Sequence, residues 1–100
     1  MNMPLQRIRL EGELSIGAAA AVREQLLAAI GGGAEVEVDL GSVTEIDSAG
    51  IQLMLAAAKE ALAAGKRIRF AHPSPAVVDL FGLCGLAAWL ADAATQEAAP

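Results

Sequence analysis

The chain has 100 residues, and its 55% hydrophobic content, much of it alanine, is enough for one small core. Its formal charge of -5 disfavours binding to nucleic acid or to an anionic membrane surface, because both attract basic patches. Arg7 and Arg9 are not followed by an apolar segment, and the uncharged run at 80–91 is shorter than the roughly 20 residues that span a bilayer. We therefore predict a cytoplasmic protein with a protein partner.

Three segments, at residues 6–10, 35–40 and 66–70, alternate charged with apolar residues, and this period of two predicts strands. The segments between them are long enough for helices, so each connection should be a right-handed strand-helix-strand crossover. The result is a mostly parallel sheet with helices packed on one face and an acidic strand between two basic ones. Opposite charges on neighbouring strands stabilise a sheet by about 0.2 to 1 kcal/mol per pair. The predicted inward side chains are Ile8, Leu10, Val36, Val38, Leu40, Ile68 and Phe70.

Two helices are predicted between the strands. The first covers about residues 18–30 and ends at the glycines 31–33, and the second begins at Ser48 and ends before Gly65. The predicted core side chains of these helices are Val22, Leu26, Ala29 and Ile30 in the first, and Ile51, Leu55, Ala58 and Leu62 in the second. The predicted exposed residues of the second helix are Gln52, Ala56, Lys59, Glu60 and Ala63. The small side chains among them either admit a closely approaching protein or merely fill a solvated helix.

A third helix is predicted after Ser74-Pro75, an N-cap followed by proline at the first helical position, and a short fourth helix follows from the apolar spacing of residues 86–93. Trp89 is expected either in the core or as an exposed anchor for a partner. The single cysteine, Cys84, is expected to be a small buried side chain. Residues 5–94 should form one domain, and 95–100 a frayed tail.

The junction between the second strand and the second helix is the most informative part of the sequence. Ser48 precedes a long alanine-rich helical segment, so its hydroxyl can accept a hydrogen bond from a free N–H group of the helix. It can also accept a phosphate. A cap alone would contribute about 1 kcal/mol and would serve no regulation.

Five segments in order resemble the STAS domain family: Val38-Asp39-Leu40, Ile46-Asp47-Ser48-Ala49-Gly50-Ile51, Gly65-Lys66-Arg67-Ile68-Arg69, Ser74-Pro75-Ala76-Val77 and Cys84-Gly85-Leu86. The resemblance covers about residues 5–86 and implies the α/β STAS fold. This family includes the bacterial anti-sigma factor antagonists. For this chain it implies a non-enzymatic regulator that binds a kinase-like anti-sigma factor, is phosphorylated on Ser48 and is reset by a phosphatase. The implied partner contacts are Asp47, Ser48, Ala49, Gly50 and Gln52.

A phosphate on Ser48 would add about -1.5 to -2 charges at a helix N-terminus, which favours anions. Asp47 and Glu45, close by in sequence, would oppose it. Each of these effects is worth about 1 kcal/mol or less, so the fold should survive. A partner docked on Ser48 would instead meet an unpaired dianion, and binding would be what switches.

The same resemblance leaves other partners open. The motif is shared with the STAS subunit of phospholipid-transport ABC systems, which docks on the ATPase, and with STAS partners of chemotaxis or two-component kinases. Many antagonists have a second hydroxyl residue where this chain has Ala49, and many begin with an extra strand where only residues 1–4 precede the first strand here. An open sheet edge would allow a homodimer.

Enzymatic and metal sites find little support in the sequence. Asp47 adjoins Ser48 and so cannot readily orient His72 against it, and His72 is expected in a loop at a strand end. Asp39, Glu45 and Asp47 match no metal-binding loop, and the glycines 31–33 lack the Lys-Ser/Thr of a phosphate loop. We therefore predict no enzymatic activity, no cofactor and no metal.

Overall fold

The computed structural model describes residues 5–95 as three strands and four helices. The strands are parallel and lie in the order β1-β2-β3, which confirms the predicted crossovers and fold class. The elements in chain order are β1 (Leu5–Leu14), α1 (Ala19–Gly32), β2 (Glu35–Ile46), α2 (Ser48–Ala63), β3 (Arg67–Ala71), α3 (Pro75–Leu83) and α4 (Ala87–Thr95). The predicted tail begins at Thr95, the last residue of α4, and its remainder, 96–100, lies outside the described residues.

The core lies between the apolar face of the sheet and the helices, as the alternation of the strands predicts. Val38, Leu40 and Phe70 of the sheet are fully buried, and Ile8 packs against them at the edge of the cluster. The predicted stripe of α1 is confirmed, because its three last members are buried and its first packs against the core. The buried α1 residues are Leu26, Ala29 and Ile30.

The opposite face of the sheet carries the charges. Arg7, Glu37 and Arg69 stand in register across the three strands, and the Glu37 carboxylate lies 3.3 Å from Arg7 Nε and 2.9 Å from Arg69 Nη2. Burial alone would raise the pKa of Glu37, but hydrogen bonds and charge from Arg69 and then Arg7 outweigh it and lower the pKa. The predicted charge pairing across the sheet therefore exists, and it centres on Glu37.

Two charged residues of this face make different contacts from the strand pairs expected. Arg9 stands opposite Asp39, but its guanidinium donates to Ser42 Oγ, 2.7 Å from Nη2. Asp39 Oδ1 instead accepts a hydrogen bond from the backbone N–H of Gly41 at 2.8 Å. The carboxylate is drawn to its own chain because that N–H is only two residues away.

Strands β1 and β2 run four and six residues beyond their predicted ends at Leu10 and Leu40. The register shifts between Arg9 and Glu11, where two steps along β1 match three along β2. Such irregularities let a ladder continue past residues that break a regular strand pattern. Gly12 and Gly41, which follow the predicted ends of the two strands, therefore lie inside the strands.

The predicted core stripe of α2 is correct except at its last residue. Ile51 is buried, and Leu55 and Ala58 pack against the core. Leu62, however, is 79% exposed, whereas Met54 and Ala61 are fully buried. The buried face is therefore centred closer to Met54 and Ala61 than helical spacing predicts, and Gly50 lets the start of the helix approach β1 closely.

The C-terminal helices correct one prediction and settle another. Cys84 is exposed, contrary to expectation, because α3 ends at Leu83 and the chain turns at Gly85, whose φ is 74°. Trp89 is half-buried and packs with its ring centroid 5.8 Å from that of Phe81 and 6.0 Å from that of Phe70. It therefore belongs to the core.

Candidate functional site

Asp47 holds the N-terminus of α2 in place. Its Oδ1 accepts hydrogen bonds from the N–H groups of Ala49 at 2.9 Å and Gly50 at 3.2 Å, and its Oδ2 accepts one from Ile16 at 3.1 Å. These bonds, the one from Ile16 foremost, stabilise the carboxylate and lower the pKa of Asp47 despite its partial burial. Asp47, and not Ser48, is therefore the N-cap, and the prediction that Ser48 caps the helix is wrong.

Ser48 is the first residue of α2 and its side chain is exposed. Within residues 5–95 no hydrogen bond involves its hydroxyl, so the group is free for a partner or for modification. The adjacent carboxylate is held by three N–H groups and is poorly placed to take a proton from it.

Gly50 lets the first turn of α2 approach β1 closely. A Cβ at this position would lie 2.2 Å from the carbonyl oxygen of Leu14 and 2.8 Å from Cγ1 of Ile46. No side chain fits in such a space unless the backbone moves. Gly50 is buried, and its part in the site is to position the helix.

The remaining predicted contact residues lie at different depths. Gln52, one turn after Ser48, is exposed, and Ala49 is half-buried.

The small residues predicted to be exposed on α2 lie elsewhere. Ala56 and Ala63 line a shallow groove of about 310 Å³ between α1 and α2, together with Leu27.

Ile16 is a site residue that the sequence analysis missed. Its side chain is 78% exposed, and its N–H is bound to the carboxylate of Asp47. An apolar side chain thus stands in solvent beside the start of α2, in the loop after β1. No signal in the sequence predicted its exposure, because Ile16 continues the alternation of the buried residues Leu10 and Leu14. We call Ile16, Ser48 and Gln52 the Ser48 surface.

The end of the sheet next to the Ser48 surface is acidic. Glu13 and Glu45 stand opposite each other on β1 and β2, and both are exposed. Asp47 follows two residues after Glu45. A phosphate on Ser48 would therefore enter a region that already carries several negative charges.

His72 does not lie with Asp47 and Ser48 at the start of α2. His72 follows β3 with a φ of 53° and lines a small groove on the charged face with Arg9 and Asp39. Within residues 5–95 no three metal-ligating side chains come together as a metal site. None of the helices in this part of the chain is long and apolar enough to cross a membrane.

Comparisons with known proteins agree with this architecture. A family model described as "Mlab, STAS domain" matches residues 4–92. The anti-sigma F factor antagonist of Lysinibacillus sphaericus is 33% identical over 93 residues, covering 91% of this chain and 80% of that protein.

Solved structures show the same similarity. The unphosphorylated form of the anti-sigma factor antagonist SpoIIAA is 28% identical with a TM-score of 0.70, covering 89% of this chain and 79% of its own. The phosphorylated form of Bacillus SpoIIAA has a TM-score of 0.66 at 28% identity, with 89% and 82% covered. A sulfate transporter family protein from Wolinella succinogenes, 13% identical with a TM-score of 0.72 over 89% and 74%, shares the fold.

Proposed function

This chain belongs to the STAS domain family, and we propose that it is a cytoplasmic anti-sigma factor antagonist, released from a kinase-like anti-sigma factor when Ser48 is phosphorylated. A phosphatase would restore the binding form. The observation that carries the proposal is the free, exposed hydroxyl of Ser48 at the start of α2. Because Asp47 caps the helix, Ser48 is not needed for the fold.

The Ser48 surface has the composition of a partner contact. Ile16 offers exposed apolar area, and Ser48 and Gln52 offer polar groups on one side of α2. Apolar centres with polar surroundings are typical of protein interfaces. Asp47, Ala49 and Gly50 would support this surface mainly by fixing the loop after β1 against α2.

Phosphorylation would change the charge of this surface more than its shape. The helix N-terminus favours the phosphate, whereas Asp47 and the exposed pair Glu13 and Glu45 disfavour it. A docked partner would have to desolvate the added dianion, and an uncompensated buried charge costs several kcal/mol. Loss of binding is thus the expected result.

The test is affinity purification from the native cell with four proteins: wild type, Ser48→Ala, Ser48→Asp and Gln25→Asp. The last adds the same charge on the exposed face of α1 and is the matched control. Mass spectrometry identifies the partners and the state of Ser48. We expect wild type, Ser48→Ala and Gln25→Asp to capture a kinase-like protein that Ser48→Asp does not. Incubation of the captured kinase with ATP should label wild type and not Ser48→Ala.

A second candidate is a STAS subunit that docks on the ATPase of a phospholipid-transport ABC system. The observation in its favour is the description "Mlab, STAS domain" of the family model that matches the chain. In the same purification this candidate predicts an ABC ATPase, captured without phosphate on Ser48. That result would displace the antagonist proposal.

A further inference from the structure

The outer edge of β1 has no strand neighbour within residues 5–95. Among the described strands β1 pairs with β2 alone, so one side of a ten-residue strand has no strand neighbour. Its burial alternates over the whole length, from Leu5 to Leu14. An open edge of this length is able to pair with a further strand.

The charges along β1 change sign at its middle. Arg7 and Arg9 precede Leu10, and Glu11 and Glu13 follow it. All four charged residues are exposed and alternate with the inward residues, so they lie on one face. The side chain of Arg7 remains 74% exposed even with its ion pair to Glu37.

This order of charges is complementary to the same order on a second β1 strand that runs in the opposite direction. In an antiparallel pair of two β1 strands with Leu10 on the twofold axis, Arg9 faces Glu11 of the second copy, and Arg7 faces Glu13. Each pair occurs twice, which gives four opposite-charge pairs. A shift by two residues in one direction places Arg9 against Arg9, and a shift in the other places Glu11 against Glu11. Each shifted register keeps two opposite-charge pairs but adds one like-charge pair, which destabilises a sheet. The charges therefore favour the unshifted register, which has four opposite-charge pairs and no like-charge pair.

The structure leaves room at Gly12 on this edge. Gly12, with a φ of 77°, would face Ile8 of the second copy, and no atom lies within 4 Å of the position of a Cβ there. A twofold axis perpendicular to the sheet keeps the helices of both copies on the same side. The two sheets would join into one of six strands.

We propose that this chain forms a homodimer by antiparallel pairing of β1 with β1 of a second copy, in the register that joins Arg9 to Glu11 and Arg7 to Glu13. The interface is self-complementary, as a twofold dimer requires. It involves the sheet edge and none of the residues of the Ser48 surface. The dimer can therefore be tested separately from the antagonist function.

The first test is a charge exchange followed by analytical ultracentrifugation from micromolar to millimolar concentrations. Wild type should approach twice the monomer mass of 10.2 kDa. Arg9→Glu and Glu11→Arg should each remain monomeric, because each places like charges in contact. The double variant Arg9→Glu/Glu11→Arg restores opposite pairs and should dimerise again. Arg23→Glu on α1 is the control and should behave as wild type.

The sedimentation of wild type and the charge-exchange variants decides the proposal either way. A monomeric wild type at millimolar concentration overturns it, as does a dimer that Arg9→Glu leaves intact. Failure of the double variant to recover would exclude this register. Circular dichroism checks that each variant is folded, which their exposed positions lead us to expect.

Disulfide trapping tests the strand direction independently, in a Cys84→Ser background that removes the exposed native thiol. A mixture of Arg7→Cys and Glu13→Cys proteins should give a cross-linked dimer under mild oxidation, because the two positions face each other. Either protein alone should give none, since its own copies lie about six residues apart along the pair, beyond disulfide reach. Cross-linking of Arg7→Cys with itself alone would overturn the proposed register.

Discussion

Asp47 and Ser48 are adjacent, yet their side chains make different contacts in the structure. The carboxylate of Asp47 takes three backbone N–H groups from two parts of the chain, and the Ser48 hydroxyl takes none among the described residues. A regulatory hydroxyl that also held the helix would alter the fold whenever it was modified. The separation keeps the chemistry of Ser48 independent of stability.

This separation predicts opposite outcomes for neighbouring substitutions. Ser48→Ala should change the free energy of unfolding by less than about 0.5 kcal/mol, because the side chain is exposed and makes no hydrogen bond. Asp47→Ala should destabilise the protein clearly, since three N–H groups lose their acceptor. Urea denaturation measures both. Equal stabilities would show that Asp47 does not hold the loop after β1 to α2.

The lowered pKa of Asp47 predicts a pH dependence. Because the folded state holds the carboxylate ionised below its ordinary pKa of 3.8, its contribution is fully present above that pH and is lost as the pH falls through the folded pKa. The stability difference between wild type and Asp47→Asn should therefore be constant near pH 6 and shrink below about pH 4. Urea midpoints at a series of pH values measure it. A difference that grows on acidification would contradict the assignment.

The sequence drew attention to Asp47 and Ser48 but did not predict which of the two caps α2. Aspartate and serine are both preferred N-caps, so two in succession leave the cap position undecided by type alone. The deciding contact is the N–H of Ile16, which is 31 residues away. The closeness of this N–H group to Asp47 depends on how β1 lies beside β2, and a local sequence pattern does not predict that.

At the scale of elements, the approach of α2 to β1 rests on Gly50. Gly50→Ala would put a Cβ into the carbonyl oxygen of Leu14, and backbone displacement should cost about 3 kcal/mol. Thermal denaturation measures the loss. Ala49→Gly, one residue earlier, is a control that lacks the clash and should cost about 1 kcal/mol at most. A Gly50→Ala protein as stable as wild type would mean that this contact is looser than the structure shows.

The orientation of α2 can be tested with two truncations. Met54→Ala removes a fully buried side chain and should cost about 2 to 5 kcal/mol. Leu62→Ala removes one that is 79% exposed and should stay within about 0.5 kcal/mol. Urea denaturation compares them. The reverse order would mean that Leu62 faces the core, as the sequence predicts, and that Met54 does not.

Element types, their order and most of the inward faces were predictable here, and element limits were not. The alternation of residues 35–40 predicts a strand regardless of its surroundings, whereas its continuation past Gly41 depends on pairing with β1 through an irregular register. The burial of Met54 and exposure of Leu62 in α2 were not predictable either, because helical spacing fits both arrangements. Cys84 shows the same limit, because helical spacing was extended past the true end of α3.

The whole molecule distributes its charges unevenly. Four of the seven basic residues lie on the strands β1 and β3, and the exposed end near Ser48 carries Glu13 and Glu45. The face of the sheet is thereby close to neutral, while the end of the sheet next to the Ser48 surface is acidic. Association through the Ser48 surface should weaken as salt is added if the partner presents basic groups.

A final prediction follows for the phosphorylated protein. Since the Ser48 hydroxyl supports no described contact, phosphorylation should leave the fold intact, and both SpoIIAA forms share this fold. Hydrogen exchange of protein phosphorylated on Ser48 should therefore change only near residues 45–52, where the phosphate meets the first turn of α2. The amides of β3, remote in sequence and on the far strand of the sheet, provide the internal control. Loss of protection throughout the sheet would mean that the switch works by unfolding, whereas a change confined to the first turn of α2 attributes it to charge at the docking surface.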